Sequence, residues 1–505
     1  MAVWLSIDMH KAEMSGTEVG QLSFTFAFPE NDEAWETQTP SGSPAGPVST
    51  PRTVCSNTGE TVQDKALSSV GSAGKSLPAG VSGKKKWNSL IDKVYAPRNL
   101  QSAWERVKAN NGAAGVDGMT VARFDRDAAA LLAALHKALR EKSYRPSAVR
   151  RVMIPKGSGG QRPLGVPTVR DRIVQQALRQ ILEPIFEAKF STRSHGFRPE
   201  RGCHTALAVV DRAVRCGYTW VVDADIRSFF DSVDHETLID AVAEEVADGR
   251  ILKLIRQILK SGVQLPSVHG IEPTDKGTPQ GGPVSPLLAN IFLHVFDERM
   301  VKAGYGLVRY ADDWVVFAKS ESEARQALEK ARQILEGDLG LMLHPEKTRV
   351  VSVASGFEFL GFHYFVDPRV GWVCKEVRRG SVDRFRRAIR ARTPRLRGQR
   401  PFKERHATYQ RLRKNKRLAA MIRDVNLYLG GWHGYFKMIR PRYGDPFRSF
   451  DEFTRRRLRS AVTGRTGNGW WTSKLTNRMW RDLGLNCLSE RHRRYLADHA
   501  LTTAR

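Results

Sequence analysis

Leu307-Val308-Arg309-Tyr310-Ala311-Asp312-Asp313-Trp314-Val315-Val316-Phe317 sets two runs of β-branched and aromatic residues on either side of two adjacent carboxylates. Runs of that composition form strands, and so short an interval between them reads as a β-hairpin with its turn at about Ala311 and Asp312. Favoured two-residue hairpin turns need positive φ and prefer Asn-Gly, Asp-Gly or a leading glycine, none of which is present. Neighbouring aspartates also repel one another unless a cation lies between them. A strained, doubly acidic turn between buried strands therefore points to a metal site, and hard oxygen ligands suit Mg²⁺. Taken alone, the tetrapeptide also fits a solvated turn that carries two acids, so a partner upstream has to decide.

That partner lies in Trp220-Val221-Val222-Asp223-Ala224-Asp225-Ile226-Arg227-Ser228-Phe229-Phe230-Asp231. An apolar strand runs into Asp225, and the distance to Asp312 leaves room for an intervening helix and a return alongside. Between the two comes Gly277-Thr278-Pro279-Gln280-Gly281-Gly282-Pro283-Val284-Ser285-Pro286-Leu287-Leu288-Ala289-Asn290-Ile291-Phe292-Leu293, a rigid Pro/Gly turn feeding an almost wholly apolar helix that can pack under the hairpin. Strand-Asp, Pro-Gln-Gly turn and Tyr-Ala-Asp-Asp hairpin in this order resemble the palm of a reverse transcriptase, specifically the bacterial group II intron-encoded kind. The resemblance implies an α+β, right-hand polymerase fold: fingers and palm with antiparallel sheet, then a helical thumb or maturase domain.

Charge supports an extended polyanion as partner. The 505 residues carry a net charge of +28, unevenly spread. Residues 1–83 hold 4 Lys/Arg against 9 Asp/Glu, whereas residues 366–505 hold 36 against 11. Clustered Lys and Arg bind nucleic acid by neutralising phosphates and releasing counterions. The five cysteines, Cys55, Cys203, Cys216, Cys374 and Cys487, show no paired spacing, which argues against a zinc knuckle or disulfide framework and for a reducing compartment. No run of 18 apolar residues marks a transmembrane helix, and the acid-rich first 30 residues are unlike a signal or transit peptide. The expectation is a cytoplasmic protein without a membrane partner. At this length two or three packed units are expected.

Residues 1–83, rich in Ser, Thr, Gly and Pro, bury too little apolar surface to offset their ordering entropy and are expected to be a largely disordered acidic leader. Residues 84–205 are expected to form the fingers with an amino-terminal extension. Helical spacing recurs from Trp87 to Val107, followed by the glycine-punctuated loop Asn110–Gly118. That loop resembles the amino-terminal extension motif of group II intron and non-retroviral reverse transcriptases, which implies nucleic-acid contact. Residues 149–168 read as two strands joined at Gly157-Ser158-Gly159-Gly160, with Lys156 and Arg162 on either side. On a flexible hairpin, lysine as a point charge and arginine as a fork can close over a triphosphate, and the match to the family's fingers hairpin favours that over a solvated pair. Residues 169–189 read as an amphipathic packing helix. His195 and His204, in a second finger motif, suit structural or template-strand roles better than metal binding.

Residues 206–365 are expected to form the palm, completed by resemblance at Leu343–Thr348 and at Phe357–Phe362, a strand pair that in the family grips the primer end. Residues 366–465 are expected to be the thumb or maturase domain, and 466–505 a basic tail with a role in DNA binding. Three basic amphipathic helices carry Arg384–Arg392; Arg411, Arg413 and Lys414; and Arg455, Arg456, Arg457 and Arg459. Three such runs with hardly any balancing acid imply a continuous phosphate track for RNA. Gly430-Gly431-Trp432-His433-Gly434-Tyr435-Phe436 resembles the maturase signature, its aromatics fitting either base stacking or core packing. Many family members end in an HNH endonuclease with paired cysteines; here the tail holds only Cys487, so that nuclease is not expected.

The reaction implied is attack of a primer 3′-hydroxyl on the α-phosphate of a deoxynucleoside triphosphate, with two Mg²⁺ ions, or Mn²⁺ in their place, lowering the hydroxyl pKa and neutralising the leaving group. Asp225, Asp312 and Asp313 are the expected catalytic metal ligands, with the Ile226 carbonyl completing the shell; Asp223 and Asp231 lie nearby. By resemblance, Phe230 excludes a ribose 2′-hydroxyl, Gln280 touches the incoming nucleotide and Lys347 assists pyrophosphate departure. The implied partners are intron RNA and RNA template, a DNA primer or target and deoxynucleotides, with a homodimer allowed. The implied function is RNA-directed DNA synthesis combined with assistance to splicing and to retrohoming. Two alternatives stay open: service in defence, CRISPR adaptation or repair, and a splicing cofactor with a vestigial polymerase site, against which the intact Asp225, Asp312 and Asp313 argue.

Overall fold

A computed structural model describes residues 86–155, 160–265, 270–369, 371–396, 405–439, 444–463 and 475–502. The acidic leader and Lys156 lie outside the described residues.

The fingers contain β1 (Val149–Pro155) and β2 (Gln161–Val166), the antiparallel pair expected from the sequence. The palm begins with β3 (Trp220–Asp225), after which the short β4 (Val263–Gln264) and β5 (Ile271–Glu272) return to the fingers sheet in the order β2-β1-β4-β5. The hairpin β6 (Gly306–Tyr310) and β7 (Asp313–Ala318) follows, then β8 (Arg349–Ser352), giving the antiparallel palm sheet β6-β7-β3-β8. A third sheet, β11-β10-β9, is built from β9 (Phe357–Phe359), β10 (Phe362–Val366) and β11 (Val373–Val377).

Strand alternation gives the palm sheet two faces with different work. Val222, Ala224, Leu307, Trp314, Val316 and Ala318 are buried on one face, in the core that also takes the apolar helix Ser285–Lys302 and the helix Glu321–Arg332. Val221, Val308, Val315 and Phe317 are buried on the other, in a second core with Phe357, Phe359 and Phe362 of the third sheet and with the thumb helices. Burying a side chain of this size contributes about 1.5–3 kcal/mol, so a one-residue slip of any palm strand is strongly disfavoured. The register of the carboxylates is held by this two-sided burial.

The thumb helices include Arg379–Arg392, Lys416–Phe436 and Arg448–Thr463. Phe385 packs against Trp432 at 4.9 Å and Trp432 against Phe436 at 4.4 Å between ring centroids, so the signature aromatics are core residues. Within the segment expected as a basic tail, Asn477–Asp482 and Leu488–Thr502 are helical, and Leu475, Trp480 and Leu488 are buried in the same core. Among the described residues, no helix is long and apolar enough to cross a membrane.

Candidate active site

β3 and β7 pair so that Asp225 stands directly opposite Asp313, and β6 and β7 pair so that Tyr310 stands opposite Asp313. Directly opposed residues have Cβ atoms about 4.5–5.5 Å apart, which sets the two carboxylates side by side on one face. Asp223, two residues back on β3, shares that face but is engaged by Arg349, whose Nη2 donates to its Oδ2 at 2.9 Å. Asp312 lies in the two-residue turn with Ala311, where the sequence located it. Ala311 takes φ +59°, the left-handed conformation that the absent glycine would have adopted freely. For an L-residue this costs roughly 1–2 kcal/mol.

Something must hold the turn against that cost. Gly196 lies on it so closely that a Cβ there would fall 2.4 Å from the Ala311 nitrogen. Beneath it the fully buried Arg309 donates from Nη1 to the Ala311 carbonyl at 2.9 Å. Sequence reasoning missed Arg309 and its partners Asn290 and Asp297, because the helix that carries the two partners also holds His294, Glu298 and Arg299, so neither stands out as a lone polar residue. A buried polar group needs a partner.

The electrostatics follow from the crowding. The Asp313 carboxyl is pushed up to about 8, first by burial and then by the charges of Asp312, Asp223 and Asp225. The Asp225 Oδ2 accepts from Lys347 Nζ at 2.6 Å. The bridge between Ile226 and Leu343 is carried by Arg227 N to Met342 O and His344 N to Asp225 O, which leaves the Ile226 carbonyl outside the ladder. Among the described residues no three His, Cys, Asp or Glu side chains are already closed around a common ion position. The donor set is nonetheless all hard oxygen, under-compensated and concentrated at one sheet end, which fits a divalent cation.

The remaining candidates fall into two groups. Arg162 Nε donates to Gln280 Oε1 at 2.8 Å, so the fingers strand and the Pro-Gln-Gly turn bring two nucleotide candidates together. The backbones meet there as well: Gly165 N donates to Gln280 O at 2.8 Å, and a Cβ on Gly281 would lie 2.5 Å from Gly165 O. Phe230 is buried, packs edge-on to Phe229 at 5.2 Å, and its carbonyl accepts from Thr278 N at 2.7 Å, tying it to the same turn. The loop Asn110–Gly118 is docked on the fingers, its Ala113 and Ala114 carbonyls accepting from Arg172 and Arg150. His195 is buried against Thr205 Oγ1 at 2.9 Å and pushed down to about 3, first by burial, so its imidazole is neutral and structural. His204 faces the Tyr435 carbonyl at 2.8 Å.

The thumb arginines divide. Arg457 donates to the Thr393 carbonyl at 3.3 Å and Arg459 to the Leu475 carbonyl at 2.9 Å, so both tie helices together. Arg456, Arg413 and Lys414 are exposed, and Arg411 and Arg455 are partly so.

The reverse transcriptase (RNA-dependent DNA polymerase) family model matches residues 154–364, and the group II intron maturase-specific domain model matches 402–480. Protein YkfC of Escherichia coli K12 is 36% identical over 312 residues, 54% of this chain and 81% of YkfC. Group II intron-encoded protein LtrA of Lactococcus lactis subsp. cremoris is 45% identical over 164 residues, 32% of this chain and 27% of LtrA. The chain thus spans most of YkfC and about a quarter of LtrA. Among solved structures, a chain of a partial Cas6-RT-Cas1–Cas2 complex is 27% identical, covering 49% of this chain and 41% of that one, at a TM-score of 0.33. The chain belongs to the group II intron-encoded reverse transcriptases and maturases. It is an RNA-directed DNA polymerase whose catalytic domain is followed by a maturase domain.

Proposed function

We propose that this chain copies RNA into DNA at Asp225, Asp312 and Asp313 and binds its intron RNA through the thumb to assist splicing and retrohoming. The register Asp225 opposite Asp313, with Asp312 in the adjoining turn, carries the reading, because it collects three short-armed carboxylates at one sheet end. Asp225, Asp312, Asp313 and the Ile226 carbonyl would hold Mg²⁺. When bound, Mg²⁺ supplies charge neutralisation at the reacting phosphate and acidifies the primer hydroxyl. Lys347 then exchanges Asp225 for the phosphates of the incoming nucleotide. Arg162 and Gln280 orient that nucleotide from the fingers side, and Phe230 packs against its sugar. The chain works in the cytoplasm, where its thiols stay reduced.

Phe230→Ala is expected to admit ribonucleotides while retaining deoxynucleotide incorporation, since truncating the ring opens the space a 2′-hydroxyl needs. Competition between the two nucleotide types on one primer-template measures this. Unchanged discrimination assigns the gate to another residue.

The whole reading is tested by recovering the RNA that copurifies with the full chain, then assaying its splicing and its use as a primer-extension template. The expected RNA is an intron precursor whose splicing accelerates with added protein. Extension without any effect on splicing would retain the polymerase and overturn the maturase role, leaving service in defence, CRISPR adaptation or repair.

A further inference from the structure

Arg309 stands three residues before Asp312, and its charged end lies entirely inside the protein. Its Nε and Nη2 grip the two oxygens of Asp297 at 2.6 and 2.5 Å, and Asp297 is equally buried. Its Nη1 serves two acceptors, Asn290 Oδ1 at 3.1 Å and the Ala311 carbonyl at 2.9 Å. Asn290 closes the circuit, donating from Nδ2 to the Gly196 carbonyl at 2.8 Å. Gly196 is the residue that lies against the Ala311 nitrogen from the other side. The backbone adds two bonds of its own, His195 N to Arg309 O and Arg309 N to Arg193 O, both at 2.9 Å.

Three elements meet in this network: the hairpin, the helix Ser285–Lys302 and the segment through Arg193 and Gly196. Asn290 and Asp297 reach it together because a seven-residue interval is two helical turns and returns to the same face. A buried arginine and aspartate are not there for stability as such. Removing two charges from water is expensive, and well-packed apolar replacements of a buried ion pair are often neutral or stabilising. What the pair supplies is direction. The planar guanidinium fork serves three acceptors at fixed angles, which an ammonium cannot do.

The acceptor that links the network to chemistry is the Ala311 carbonyl. It belongs to the peptide plane between Ala311 and Asp312, so fixing it fixes the backbone leaving the left-handed residue and entering the two acids. We infer that Arg309, seated on Asp297 and Asn290, is a positioning residue for polymerisation. It holds Ala311 at positive φ and thereby aims Asp312 and Asp313 at the position they share with Asp225. The inference rests on the proposed reaction at those three carboxylates.

The test separates position from folding. Arg309→Met with Asp297→Leu removes both charges together, and Arg309→Lys keeps both charges while losing the fork. For each purified full-length variant, kcat and KM for a deoxynucleotide are measured on a short RNA template alongside the melting temperature. The neutral pair is expected to melt within a few degrees of the native protein, to keep its nucleotide KM within about threefold, and to lose on the order of 100-fold in kcat, the scale set by a small misplacement of reacting groups. Arg309→Lys is expected to lose kcat in the same sense.

Adding Ala311→Gly supplies the discriminating arm. Glycine takes positive φ without strain, so it is expected to restore about tenfold of the lost kcat in the neutral-pair background and to give a smaller gain in the native background. The melting temperature should change little with it, because the relieved strain is offset by the lost methyl burial and by the greater chain entropy of unfolded glycine. A neutral pair with kcat within about threefold of native overturns the inference. So does a kcat loss that tracks the melting temperature and does not respond to Ala311→Gly. Native protein that fails to extend the primer overturns the polymerase reading instead, so the two failures are distinct.

Discussion

Asp312→Ala and Asp313→Ala are each expected to lower deoxynucleotide incorporation by on the order of 10³-fold or more while leaving affinity for structured RNA within about twofold. In the proposed reaction each change would remove a metal-ligating oxygen, and with it charge neutralisation at the reacting phosphate, rather than an RNA contact. Neither belongs to the basic segments expected to hold RNA. Single-nucleotide incorporation and filter binding on the same preparations measure the two quantities. Near-native extension by either variant would remove that carboxylate from the mechanism.

The same site predicts a stability effect of opposite sign. The Asp313 carboxyl is raised from its ordinary value near 3.8 to about 8, chiefly by burial and then by its acidic neighbours. A carboxyl held above its unfolded value binds its proton more tightly in the folded state, so its favourable contribution is complete below about pH 4 and is lost as pH rises through 8. In metal-free protein, Asp313→Asn is therefore expected to melt higher than native at pH 8 and to converge with it near pH 4. Added Mg²⁺ should reverse the order, because only the native site gains the ligand. Calorimetry with and without chelator reads both arms; a native protein that is the more stable at pH 8 in chelator would show that the acids are already compensated.

Charge reversal at Arg413, Lys414, Arg455 and Arg456 is the second large effect. These residues project from the part of the chain that holds 36 basic residues against 11 acidic ones. Each lost phosphate contact is expected to reduce the slope of log affinity against log salt by about 0.7–0.9. Four reversals should flatten the slope visibly and weaken splicing assistance, with extension on a short, saturating primer-template comparatively spared. Arg457 and Arg459 are excluded, because their bonds to the Thr393 and Leu475 carbonyls make them helix ties. Reversing those two should lower the melting temperature instead. An unchanged salt slope would make these four residues a solvated face; an equal collapse of short-template extension would place them in the polymerase cleft.

Much of the site was legible because its signals are local. Runs of β-branched, aromatic and apolar residues located β3, β6 and β7, and the run from Tyr310 to Asp313 located the turn down to Ala311 and Asp312. The need for positive φ at a residue that is not glycine follows from the turn's own sequence, and Ala311 takes it at +59°. What supports the turn was not legible. Arg309, Asn290 and Asp297 look ordinary in sequence, and their partnership exists only once the helix Ser285–Lys302 lies under the sheet. Lys347 on Asp225 likewise depends on a contact between residues 122 apart in the chain. In the thumb, a run of arginines cannot show which of them face a neighbouring carbonyl and which face solvent. Nor could the basic character of the last forty residues show that Trp480 and Leu488 would be buried, because that burial exists only once they pack into the core of the thumb helices.

The most direct measurement is primer extension by the purified full chain on an RNA template with deoxynucleotides and Mg²⁺, run in parallel with Asp225→Asn. The account predicts template-length DNA from the native protein and none from the variant, with both retaining the RNA. No extension by the native protein, or equal extension by the two, would contradict it.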